Sequence, residues 1–358
     1  MEQHLREGLT KRSYLFVLES FLAAFYPGEH HNLKYETLVV ICTLDESTEH
    51  DLGGDLLMNI DGEDILVYQE ESGAYPVADP KPPFKYHLTY CSPPITQKLN
   101  AQRMYEWIEY HLKQGVSMLT LYDAGGVDEE VMAMLDPYSR KQLVEVVNVR
   151  TIVKYESWLS GAVMVLNDCA YRTRFTSTWT VSIDMNEYFD SDSGLTLAKL
   201  LEMHEDKPYI TLGSRWWSIE NCLPQVDNND WAIQRMPYHW PHVYCAKKDD
   251  FPRWEMCLDY YGYRKHVVNP RKVSALQIHR IEVPSSGGVD VDTDVARLNR
   301  WHGLLDKDNK ACSHVVSNGE VIDWWSMDMS LVNSAKLVKS HTIATFADRN
   351  RPYNKGTH

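Results

Sequence analysis

At 358 residues the chain is too long for one ordinary core and suits one large α/β domain plus an appendage, on a prior of roughly 150 residues per domain. Its 36 basic and 50 acidic side chains give a net charge of −14, which excludes nucleic acid as the expected partner, because phosphate-tracking faces need a surplus of Lys and Arg. Tyr (21) and Trp (11) outnumber Phe (8), so most aromatic side chains carry a polar handle of the kind that suits the apolar face and polar rim of a sugar.

"YLFVLESFLAAFY" (14–26) is interrupted by Glu19 and is shorter than the ~18–20 residues that span a bilayer. It also lacks the charged start and cleavage site of a secretion signal. The sequence therefore shows no membrane-spanning segment, signal or anchor, which describes either a soluble form or a truncated chain. "KYETLVVICTLD" (34–45) and "EDILVYQE" (63–70) read as strands, with "DESTEHDLGGD" as the loop between them. "SGAYPVADPKPPF" (72–84) is proline-rich and marks a boundary. Residues 1–84 are thus expected to be a small β-rich appendage with its linker, 85–310 the main domain, and 311–358 a C-terminal extension.

The pattern then alternates. "KYHLTYCS" (85–92) is a strand and "TQKLNAQRMYEWIEYHLKQG" (96–115) a helix with Leu99, Met104, Trp107, Ile108 and Leu112 on one face, stopped by Gly115. "VSMLTLYDAGG" (116–126) is a buried strand running into a turn. "DEEVMAMLDPY" (128–138) opens with acids suited to a helix N-terminus, "LVEVVNV" (143–149) is a strand, and "ESWLSGAVMVLNDCAYRTRF" (156–175) a helix. This order predicts a parallel sheet with helices on its faces, and such sheets bind ligands beyond the carboxyl ends of their strands. Neither G-x-G-x-x-G after the first strand nor a P-loop occurs.

"WTVSIDMNEYF" (179–189) ends a β-branched run in Asp184, Asn186 and Glu187 at such a strand end. Oxygen donors there suit a hard cation such as Mn²⁺ or Mg²⁺ that bridges to a phosphate. The seven cysteines (Cys42, Cys91, Cys169, Cys222, Cys245, Cys257 and Cys312) include no C-x-x-C pair, which argues against a zinc ribbon or thioredoxin motif. Their odd number leaves at least one thiol unpaired, and no pairing can be drawn. No Asn-x-Ser/Thr acceptor is present.

"WTVSIDMNEYF" resembles the W-T-x-x-x-D-x-D-E-[YF] segment of glycosyltransferase family 92. "QRMYEWIEYH" (102–111), "LYDAGGVDEEV" (121–131), "LNDCAYRTRF" (166–175) and "RKHVVNPRKVSALQIH" (264–279) look like its other blocks in the same order. The resemblance covers roughly residues 85–305 and implies a GT-A, nucleotide-sugar-binding, Rossmann-like α/β fold. It implies an inverting, metal-dependent transfer of a sugar, galactose in the plant relatives, from a UDP-sugar to a glycan or polysaccharide.

Carried over, Asp123 would contact the uridine, although a turn aspartate is the alternative reading. Asn167, Asp168, Arg172 and Arg174 would belong to the donor site, with an arginine fork on the diphosphate. Asp184, Asn186 and His279 would hold Mn²⁺ or Mg²⁺. Glu220, Asp227 and Asp230 are candidate bases for the acceptor hydroxyl, and Trp216, Trp217 and Trp231 could stack on acceptor rings. His302 is a weaker match. The family's location implies the Golgi lumen; homo-oligomerisation is compatible with the sequence and not specified by it.

Two departures stand out. Asn186 replaces the second aspartate, and Gly161–Ala162 replace an Asn-Gln pair of the plant members. They keep open a non-catalytic glycan-binding relative. A glycoside hydrolase, which needs two carboxylates across a sugar site, is the third reading.

Overall fold

The computed structural model describes residues 17–19, 41–43, 54–60, 63–70, 82–151, 161–217, 231–235, 238–239, 264–278, 281–283, 286–301, 316–317, 320–321, 326–327 and 332–340. The chain divides into two compact units, Met1–His31 with Thr37–Pro82, and Asn32–Glu36 with Pro83–His358.

In the first unit β1 (Val17–Glu19) pairs antiparallel with β2 (Ile41–Thr43), and β3 (Gly54–Ile60) with β4 (Glu63–Glu70). The hairpin begins at Gly54, inside the stretch expected to be a loop. Its strand "GDLLMNI" was hidden by the Gly-Gly-Asp turn signal at its entrance.

The second unit opens with three β-α repeats and a fourth strand. In chain order they are β5 (Tyr86–Cys91), α1 (Ala101–Lys113), β6 (Met118–Asp123), α2 (Glu129–Arg140), β7 (Val144–Asn148), α3 (Ala162–Arg172) and β8 (Ser177–Val181). Two of these three helices start at a side-chain cap. Asn100 Oδ1 accepts from Arg103 N at 3.0 Å and caps α1; Asp128 Oδ1 accepts from Val131 N at 3.0 Å and caps α2. Gly161, at φ 84°, opens α3 without a side-chain cap.

Then follow β9 (Glu187–Ser191), α4 (Leu197–Glu202), β10 (Tyr209–Leu212), β11 (Ser214–Trp217), β12 (Tyr238–His239), β13 (Lys265–Val268), β14 (Ala275–Leu276), β15 (Ile281–Val283), β16 (Val289–Val291), β17 (Ala296–Trp301), β18 (Val316–Ser317), β19 (Glu320–Val321) and β20 (Ser326–Met327). A seven-stranded sheet has the order β16-β10-β13-β8-β5-β6-β7. β8, β5, β6 and β7 are mutually parallel, as their helical crossovers require, and β13 enters antiparallel between β8 and β10. A second sheet, β20-β12-β11-β17-β9, stands beside it, and β14 with β15 and β18 with β19 form small pairs.

The core lies against the parallel strands. Leu88, Leu119, Leu121, Trp107, Ile108 and Trp179 are at most 1% exposed, each burial contributing roughly 1.5–3 kcal/mol. Residues 332–340 form a further helix whose Ala335 and Val338 join this core. Among the described residues no helix is long and apolar enough to cross a membrane.

Candidate active site

Beyond Val181 the chain leaves β8, turns at Met185–Asn186, and re-enters the second sheet as β9. Three buried aromatic donors hold this crossing by its carbonyls. Tyr90 Oη donates to Ile183 O at 2.8 Å, Trp107 Nε1 to Glu187 O at 3.1 Å, and Tyr110 Oη to Phe189 O at 2.6 Å. Burial, followed by the charges of Asp184 and Glu187, raises the Tyr90 phenol well above its usual range, so it stays a donor. The turn closes on itself: Glu187 N donates to Asp184 O at 2.9 Å, and Asp184 N to Glu187 Oε2 at 2.7 Å.

Around the Asp184 carboxylate stand two cations. Lys265 Nζ, from the antiparallel strand β13, lies 3.4 Å from Oδ1; Arg300, directly opposite Glu187 in β17, places Nη2 3.4 Å from Oδ2. Lys265 is also 3.9 Å from Glu187 Oε2. The Glu187 side chain is wholly buried, and Oε1 has no hydrogen-bond partner among the described residues. Burial pushes its carboxyl up to about 7; Lys265 opposes that shift and Asp184 adds to it. Sequence reading gave Lys265 no role although it lies in the 264–279 block, and missed Arg300, because both meet Asp184 only through strand pairing between distant segments.

Asp123 closes β6 at the same carboxyl edge. Its Oδ1 accepts from Gly125 N (2.8 Å) and Val127 N (3.1 Å), while Oδ2 meets Arg150 Nε at 2.9 Å. Burial raises its pKa, but those two N–H groups and Arg150 outweigh it and the net direction is down. These are the contacts of a turn aspartate. Gly126, the last residue of "YDAGG", packs where an added Cβ would meet Gln97 O at 2.2 Å, so the tight turn needs a glycine.

The remaining expected donor residues lie on α3 and, for Arg174, in the turn that follows it. Asn167 is 5% exposed and spends its amide on Val163 O and Leu276 O (2.8 and 2.9 Å) and on Leu276 N (3.0 Å). Asp168 Oδ2 accepts from Tyr122 Oη at 2.6 Å and from Arg172 Nε at 3.0 Å. Arg174 lies near the start of β8, with its guanidinium 5.3 Å from the Tyr171 ring and its carbonyl accepting from Arg271 Nη1. That is the opposite edge of the sheet from Asp184. Asp184 and Asn186 therefore share one turn and Asp123 the same edge, whereas Asn167 and Asp168 bond from α3 to strands, Arg172 pairs with Asp168 within the helix, and Arg174 follows it beside Tyr171. Trp231 is a core residue, 4% exposed and edge-on to Tyr105 at 6.2 Å. Glu220, Asp227, Asp230, His279 and His302 lie outside the described residues, as do the side chains of Trp216 and Trp217.

Among the described residues no group of three or more His, Cys, Asp or Glu gathers to hold a metal ion. The donor set itself is a poor match for Mn²⁺ or Mg²⁺. Of the two expected ligands that are described, Asn186 offers an amide where the family pattern has a carboxylate, and both Asp184 oxygens face fixed positive charges.

The model of Glycosyltransferase family 92 matches residues 86–330, the stretch that builds both sheets and this turn. The chain belongs to glycosyltransferase family 92. It is 26% identical to galactan beta-1,4-galactosyltransferase GALS1 of Arabidopsis thaliana over 302 residues, covering 82% of this chain and 58% of the relative. It is 25% identical to GALS2 of the same plant, over 88% of this chain and 62% of that one. The chain thus spans about three fifths of the length of the curated relatives it matches.

The α/β sandwich with its mixed sheet is the GT-A fold expected of the family. Solved structures overlap only slightly. Staphylococcus aureus TarS 1–349 in complex with UDP-GlcNAc gives a TM-score of 0.33 at 6% identity, covering 64% of this chain and 62% of that one. HddC from Yersinia pseudotuberculosis gives 0.31 at 11% identity, covering 61% and 90%. Overlaps so small say nothing about ligands.

Proposed function

We propose that this family 92 chain transfers a sugar, galactose by likeness to its plant relatives, from a UDP-sugar to a glycan or polysaccharide acceptor with inversion at the anomeric carbon. The observation that carries the reading is the clamped Asp184–Glu187 turn at the carboxyl edge of the sheet, within the stretch matched by the family. Open α/β sheets bind ligands at that edge.

In such a transfer a carboxylate takes the acceptor proton as the hydroxyl oxygen bonds to C1, and the C1–O bond electrons leave with UDP. Glu220, Asp227 and Asp230 are the proposed bases. A buried Cys91–Cys169 disulfide supports an oxidising compartment, in keeping with the Golgi lumen. Asn186 in the D-x-D position favours the second reading, a glycan-binding relative without activity.

The test is to incubate the purified chain with UDP-sugars and β-1,4-galactan oligosaccharides and follow the products by mass spectrometry. We expect acceptor-dependent UDP release and oligosaccharides one hexose heavier. Oligosaccharide binding with no UDP release would replace this reading with the glycan-binding one, and free sugar without extension would point to hydrolysis.

A further inference from the structure

Lys265 and Arg300 each take a separate oxygen of one carboxylate that is itself only partly covered. We propose that Lys265 and Arg300 receive the donor diphosphate in place of a divalent ion, with Asp184 as their resident counter-ion until the nucleotide arrives. This rests on the nucleotide-sugar reading above.

Three features lead there. Both ion pairs stand at 3.4 Å, longer than well-formed charge-assisted hydrogen bonds, so the carboxylate is held by charge and can be exchanged for another anion. Both cations are already desolvated: their side chains are 6% and 15% exposed, against 29% for Asp184. Glu187, buried beneath, keeps Lys265 in place at 3.9 Å when Asp184 gives way. A diphosphate would meet the two cations, and a guanidinium suits its paired oxygens, whereas a divalent ion on Asp184 would meet like charges.

The experiment is calorimetric titration of UDP into the full chain in EDTA and again with MnCl₂. Binding is expected in EDTA, with the dissociation constant changing by less than about threefold when Mn²⁺ is added. Lys265→Met should weaken binding by about tenfold or more. Arg300→Lys, which keeps the charge and guards against a folding defect, should weaken it less than Arg300→Met. Asp184→Asn should retain or tighten binding, because it removes the competing anion.

A diphosphate held through a metal gives the reverse pattern: binding only with Mn²⁺, abolished by Asp184→Asn. That outcome overturns the proposal and leaves the nucleotide-sugar reading standing. Absence of UDP binding in both conditions overturns both.

Discussion

His111 lies fully buried on α1 with its ring stacked on Trp107 at 3.9 Å, Nδ1 2.8 Å from Trp107 O, and Nε2 without a hydrogen-bond partner among the described residues. Burial lowers its pKa to about 4, the bond to the Trp107 carbonyl opposing that shift, so the ring is neutral at ordinary pH. The unfolded chain takes up a proton here near pH 6.5 and the folded chain only near 4. This contribution to stability is therefore whole above about 6.5 and lost as pH falls toward 4, by about 3 kcal/mol at most. His111→Phe keeps the aromatic stack and removes both the titration and the orphaned nitrogen. We expect its stability relative to the parent, from urea unfolding, to be near zero at pH 7.5 and to rise in its favour by pH 4.5. The helix-face reading that named Met104, Trp107 and Ile108 passed over His111, since residue type alone marks histidine as polar. The structure buries His111 fully and leaves Leu112 partly covered.

At the scale of elements, the four strands and three helices of the β-α repeats were legible because each carries its own hydrophobic pattern and turn signals. The helix expected at 96–115 forms over Ala101–Lys113, and the one expected at 156–175 is described over Ala162–Arg172. The insertion of β13 between β8 and β10, and the second sheet beside the first, were not legible. They pair segments far apart in the chain, and no local pattern records a partner. Asn167 shows the same limit. The family block offered it as a donor contact, yet all three of its described hydrogen bonds are spent within α3 and on β14. Asn167→Leu should cost about 2–4 kcal/mol, because Leu276 N and O are left buried without their partner. Urea midpoints would register that loss. A donor-contacting asparagine would instead weaken UDP binding at unchanged stability.

Across the whole molecule, Cys91 at the end of β5 and Cys169 on α3 close a loop of 78 residues around α1, β6, α2 and β7. Spacing could not reveal this pair among seven cysteines; the crossover brings the two sulfurs together on one face of the sheet. Loop-closure entropy gives the cross-link about 4 kcal/mol. The Cys91→Ala, Cys169→Ala double variant is expected to unfold at lower urea by that margin, and to lose all sensitivity to dithiothreitol at this site. A variant matching the oxidised parent would mean the pair contributes nothing to stability.

The strand that carries Glu187 also has a consequence in time. Its partner in the second sheet is β17, registered from Ala296↔Ser191 to Arg300↔Glu187, and between them Arg297 is wholly buried against Asp190 at 3.1 Å. Domains emerge from the ribosome N-terminal end first. The parallel strands β5 to β8 can therefore assemble while Glu187 and Asp190 still lack the cations that will cover them. During synthesis Lys265 reaches this edge before Arg297 and Arg300 do, and a chain arrested before Ala296 would display Asp190 without the Arg297 guanidinium and Asp184 with only one of its two cations.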